Sequence, residues 1–123
     1  MLRNDMSGGG TPVGVALYVT GANRVAMVYS TAGGSTYTSS FPTTGGGGSS
    51  PTGTSVTLKL VRAASTYTGY WSTDGGTTFT QVGTGSVTVA PVAAATSQDA
   101  GVFHTSGTAG APTLTQFDAF SVG

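Results

Sequence analysis

Apolar and polar residues alternate along this chain in short runs of period two, and no run of useful length carries a helical period. In 12–20, Val13, Val15, Leu17 and Val19 alternate with Gly14, Ala16, Tyr18 and Thr20. In 24–30, Val25, Met27 and Tyr29 share one side. Gly21, Ala22 and Asn23 form a short loop between them, so the two runs predict a hairpin. A short strand is expected around 35–41. Residues 55–62 set Val56, Leu58 and Leu60 against Thr57, Lys59 and Val61. Residues 66–73 set Tyr67, Gly69 and Trp71 against Thr68, Tyr70 and Ser72. Runs at 77–82, 85–89, 99–106 and 113–122 complete a set of about eight strands. The alanine run within 91–97 is too short for a stable helix. Short strands separated by turn signals predict an all-β sandwich or barrel.

One turn is unusually explicit. Ser72-Thr73-Asp74-Gly75-Gly76-Thr77-Thr78-Phe79 lies between two strand-like runs. Asp74 and the two glycines allow the positive φ angles of a tight hairpin. The string fits the Asp-box pattern, Ser-x-Asp-x-Gly-x-Thr-aromatic, which resembles turns of secreted, carbohydrate-active all-β proteins. The pattern identifies a turn and does not imply catalysis.

Composition sharpens this picture. The chain has 123 residues, one domain at most. Only 7% are charged and the net charge is zero, so the electrostatic footprint for nucleic acid or anionic lipid is missing. Threonine, valine and glycine favour pleated surface and turns, and helix formers are scarce. Without cysteine there is no disulfide and no thiolate metal site. The low-charge Ser/Thr/Gly surface points to a secreted or cell-surface protein whose export signal lies outside this chain. The Gly/Ser/Thr-rich stretch at about 42–54 reads as a flexible loop within one domain spanning 1–123. All-β sandwiches of this style often use roughly 200 residues, and Met1-Leu2-Arg3 starts as if inside a strand. The expectation is therefore a partial domain lacking its opening strands.

Several segments, in order, resemble one family. Met1-Leu2-Arg3-Asn4-Asp5 resembles a "G-V-M-L-R" strand of bacterial concanavalin A-like jelly rolls, the accessory domains that accompany secreted glycoside hydrolases. Val56-Thr57-Leu58-Lys59-Leu60-Val61-Arg62 resembles their "W-L-R-L-V-R" strand, although Ser55 or Val56 stands where the family has an aromatic residue. The "Y-T-G-Y-W-S-x-D-G" hairpin follows at 67–75. Gly101-Val102-Phe103-His104 and Phe117-Asp118-Ala119-Phe120 resemble the closing strands. The resemblance implies a jelly-roll β-sandwich of two antiparallel sheets, here incomplete. It also implies a non-catalytic module that binds polysaccharide or glycan beside a catalytic domain of the same parent chain. A sialidase-like propeller is the rival that the Asp-box raises. Propellers repeat their blade motif, and STDGGTTF occurs once.

Candidate chemistry is sparse. Glycoside hydrolysis needs two carboxylates flanking the bond. This chain has no glutamate, and Asp5, Asp74, Asp99 and Asp118 lie far apart in sequence. An active site within this chain is not expected. The resemblance implies that Asp118 joins a structural calcium site of the complete domain, whereas the plainer reading is a strand-edge carboxylate bonding backbone amides. His104, the one histidine, lacks the partners of a triad or zinc site. Aromatic residues carry the functional expectation, because the apolar C–H faces of sugars stack on rings. Tyr18, Tyr29, Tyr70 and His104 are the candidate stacking residues, with Arg3 and Asn4 as polar contacts. Tyr67, Trp71, Phe79, Phe103, Phe117 and Phe120 are assigned to the core by alternation and resemblance. Two other readings stand beside carbohydrate binding: a structural spacer or adhesion module that binds no sugar, and a hydrolase fragment with its catalytic residues upstream.

Overall fold

The computed structural model describes residues 1–3, 14–20, 24–30, 38–39, 55–83, 86–89, 98–103, 114 and 116–123. The loop expected at 42–54, the Gly21–Asn23 loop, Asn4 and His104 lie outside these residues. The described residues form nine strands and no helix, an all-β fold: β1 (Leu2–Arg3), β2 (Gly14–Val19), β3 (Val25–Ser30), β4 (Thr38–Ser39), β5 (Thr57–Ala63), β6 (Thr66–Ser72), β7 (Thr80–Gln81), β8 (Val87–Thr88) and β9 (Asp99–Ala100).

Every pairing is antiparallel. One sheet runs in the order β4-β3-β2-β1-β9. The other runs β5-β6-β7, with β8 also pairing β6. The β2–β3 hairpin forms as expected, with Val19 opposite Val25 and Gly14 opposite Ser30. The β5–β6 hairpin is the longest ladder, seven pairs from Thr57↔Ser72 to Ala63↔Thr66. Ala64 and Ser65 close it, with Ala64 at φ 53°. A two-residue turn of this kind wants positive φ at its first position, a place that suits glycine better than alanine. The Arg62 Nε–H donates to Ala64 O at 2.8 Å and braces the turn.

β7 and β8 lie one after the other along the same side of β6. Val87 lies six positions after Gln81, whereas their partners Tyr67 and Tyr70 are only three positions apart. The extra residues break what would otherwise be one strand, as a bulge does. Val82 N–H still bonds Gly69 O at 2.9 Å, and Val89 N–H bonds Ser65 O at 2.9 Å.

The two sheets share one core. Val15, Leu17, Val25 and Met27 come from β2 and β3; Tyr67, Val82, Val87 and Val89 come from β6 and the chain running through β8. Tyr29, Val56, Leu60 and Trp71 pack against this cluster. Parity along each strand sets these residues inward, as the sequence pattern predicts. At Gly69 the two sheets approach closely. A Cβ there would stand 2.9 Å from Leu17 Cδ1 and 3.2 Å from Met27 Sδ. At the same end, the Gln98 amide donates to the buried Tyr67 hydroxyl at 3.3 Å, and Arg62 Nη1 donates to Gln98 Oε1 at 3.0 Å. This chain of polar contacts satisfies the one polar atom that Tyr67 takes into the core.

The structure departs from expectation at three places. The β2–β3 hairpin is buried on both faces rather than one, since Gly14, Ala16, Ala26 and Ser30 are buried beside the inward set. The segment expected as a strand at 113–122 makes no strand at 114 or 116–123, and Leu114, Phe117, Phe120 and Val122 are exposed. Alternation supplies a face, but a strand also needs an edge to accept its backbone hydrogen bonds. Phe79 and Phe103, expected in the core, are both 37% exposed. Phe79 shares the outward parity of Gln81 in β7, and β9 ends at Ala100, before Phe103.

Candidate functional site

The geometry around Asp74 explains both the turn and the face that it exposes. Ser72 is buried, and its hydroxyl is fully used. It donates to Asp74 Oδ1 at 2.6 Å and accepts from Asp74 N–H at 3.2 Å and Gly76 N–H at 3.0 Å. Asp74 Oδ1 accepts from the backbone N–H groups of Thr77 and Thr78, each at 2.9 Å. Asp74 Oδ2 accepts from the Thr78 hydroxyl at 2.5 Å. Thr77 Oγ1 donates back to Asp74 O at 3.1 Å. Gly75 and Gly76 take φ of 73° and 90°. The Ser72 and Thr78 hydroxyls, followed by backbone N–H groups, hold the Asp74 carboxyl well below the usual carboxylate range, because they stabilise the charged form. The carboxylate is therefore committed to the turn.

These bonds occupy Thr77 and Thr78, so β7 begins only at Thr80. Phe79, two residues before Gln81, lies on the outer face of the sheet with Tyr70. Its ring lies over Gly76, whose Cβ position is 3.5 Å from Phe79 Cζ and 3.8 Å from Thr57 Cγ2. Register then aligns Lys59, Tyr70 and Gln81 across β5, β6 and β7. Lys59 Nζ stands 4.9 Å from the Phe79 ring centroid and 6.0 Å from that of Tyr70. The result is a surface of one exposed ring, Phe79, one half-buried ring, Tyr70, and an exposed ammonium, flanked by Thr57 and Thr68 on the same face.

The expected sugar-contacting residues do not all gather there. Tyr70 does. Tyr18 lies on the other sheet, where its ring meets Phe103 edge-on at 6.2 Å and 62°. Tyr29 packs against the core, on the face opposite Tyr18. Arg3 sits in β1 opposite Gly14 and Asp99. Asp118 is exposed, and among the described residues no three His, Cys, Asp or Glu side chains converge on a metal-sized site. Lys59 and Phe79 were not foreseen. Counting back from the Ala64–Ser65 turn places Lys59 beside Tyr70, so the ladder register held the signal for the lysine. Phe79 shares the parity of Gln81, the partner of Tyr70, so the β6–β7 register also places it on the outer face.

No family model, curated protein or solved structure matches the chain. Among the described residues no helix is long and apolar enough to cross a membrane.

Proposed function

We propose that this chain is a non-catalytic carbohydrate-binding module, a concanavalin A-like jelly roll carried by a secreted glycan-active protein of bacterial type. The observation that carries the reading is the Tyr70–Phe79 surface with Lys59 between the rings. Rings on the outer face of the sheet offer apolar surface for the C–H side of a sugar, and the neighbouring threonine hydroxyls and Lys59 ammonium offer partners for its oxygens. The strand-by-strand resemblance supports the fold assignment and the association with glycoside hydrolases. The absence of glutamate and the commitment of Asp74 to its turn both favour binding over hydrolysis. Tyr18 of β2 with Phe103 is a second aromatic pair, away from this surface.

A polysaccharide pull-down with Tyr70→Ala and Phe79→Ala tests the proposal. Both residues lie on the outer face, so each variant keeps its fold, as a melting curve would show. Each substitution should weaken binding about threefold to tenfold, the usual worth of one aromatic contact. Retention of full binding by both variants would exclude this surface. A failure of the unaltered chain to bind any polysaccharide would favour the spacer reading, to which the threonines at 57, 66, 68 and 88 of the same face are suited.

A further inference from the structure

Resting on that reading, we propose that the Tyr70–Phe79 surface takes an acidic polysaccharide, with the Lys59 ammonium receiving the carboxylate of a uronic-acid unit. The ammonium is held over two ring faces, at 4.9 Å from the Phe79 centroid and 6.0 Å from that of Tyr70. Ring faces attract a cation without using its N–H groups in directional bonds, so the three donors of Lys59 stay available to an anion.

The charges nearby point the same way. Asp74 is the acid closest in sequence to Phe79. Both of its carboxylate oxygens are engaged by Ser72, Thr77 and Thr78. The Arg62 guanidinium contacts Ala64 O and Gln98 Oε1, and strand parity sets it on the opposite face from Lys59. In a chain of zero net charge, this face thus presents a local positive site beside two aromatic rings. A neutral sugar would use the rings and leave the ammonium unmatched. A uronate uses both, because its carboxylate projects from the edge of the ring that stacks.

The test compares two polymers with one backbone: polygalacturonate and its methyl-esterified, uncharged form. Affinity is measured at low salt and at about 1 M salt, where screening acts within roughly 3 Å. The chain should prefer polygalacturonate about two- to fivefold per site at low salt, the worth of one exposed ion pair. High salt should erase the preference. Lys59→Gln should bind both polymers alike, while Lys59→Arg should keep the preference. Equal affinity of the unaltered chain for the two polymers, or a preference that survives in Lys59→Gln, overturns the proposal. If the neutral polymer binds and Tyr70→Ala loses it, without any acid preference, the inference fails and the carbohydrate reading stands. Binding to neither of these polymers nor to a neutral polysaccharide panel overturns both.

Discussion

The β5–β6 hairpin with its Asp74 turn and the segment at 114 and 116–123 carry related sequence signals. Each alternates apolar and polar residues, and each sets aromatic rings around an aspartate. Only the first becomes sheet. The hairpin closes on itself: its ladder pairs residues a short loop apart, and Ser72, Asp74 and Thr78 tie the following turn within seven positions. Among the described residues the second segment makes no comparable local closure, and its rings stand exposed. A strand whose partner is adjacent in sequence forms at little cost in loop entropy, whereas one that depends on a distant edge must first bring that edge to it.

Substitutions in the two regions should differ sharply in their cost. The largest effect is expected at Gly69. Replacing it with valine drives a branched side chain into Leu17 and Met27 and should cost about 3 kcal/mol by urea denaturation. A near-neutral result would mean that the two sheets do not meet at this position. Next comes Ser72→Ala, which leaves the Asp74 and Gly76 N–H groups without their buried acceptor and should cost about 1–3 kcal/mol.

The same turn sets a pH dependence. The Asp74 carboxyl is depressed from its ordinary value of 3.8 in the folded state. Its contribution to stability is therefore full above that value and is lost only as the pH falls through the depressed one. A carboxyl resonance of Asp74 that titrates in the ordinary range would contradict the bonding described for the turn. Ala64→Gly should raise the unfolding midpoint by the equivalent of about 0.5 kcal/mol, because relief of the positive φ exceeds the entropy that glycine adds to the unfolded chain. At the other end of the scale, Phe117→Ser with Phe120→Ser should change stability by less than about 0.5 kcal/mol. A loss of several kcal/mol there would show that the segment packs as core after all.

What was legible in the sequence follows the same division. The two hairpins could be read because their periods and turns are local, and Val15, Leu17, Val25, Met27 and Tyr67 fall inward by parity alone. The Asp74 turn was legible because each of its side chains bonds a neighbour within a few residues. Phe79 was not, because its outward parity follows from Gln81 pairing Tyr70, and that pairing is fixed only by the β6–β7 register. The second buried face of β2 and β3 was hidden as well. Gly14, Ala16 and Ala26 are small, and small residues mark neither an exposed nor a covered face. Of the candidate site, Tyr70 was legible as an outward ring. The approach of Lys59 to it required the register, which two-residue closure at Ala64 and Ser65 fixes.

Trp71 is the one tryptophan of the chain, half-buried against the core, with an indole N–H that is buried and has no hydrogen-bond partner among the described residues. It stands opposite Leu58 and Thr80, one residue before the serine that anchors the Asp74 turn. Tryptophan emission shifts to the red as water reaches the indole. The molecule therefore contains its own fluorophore, and unfolding of the β5–β6–β7 sheet can be followed optically without a label.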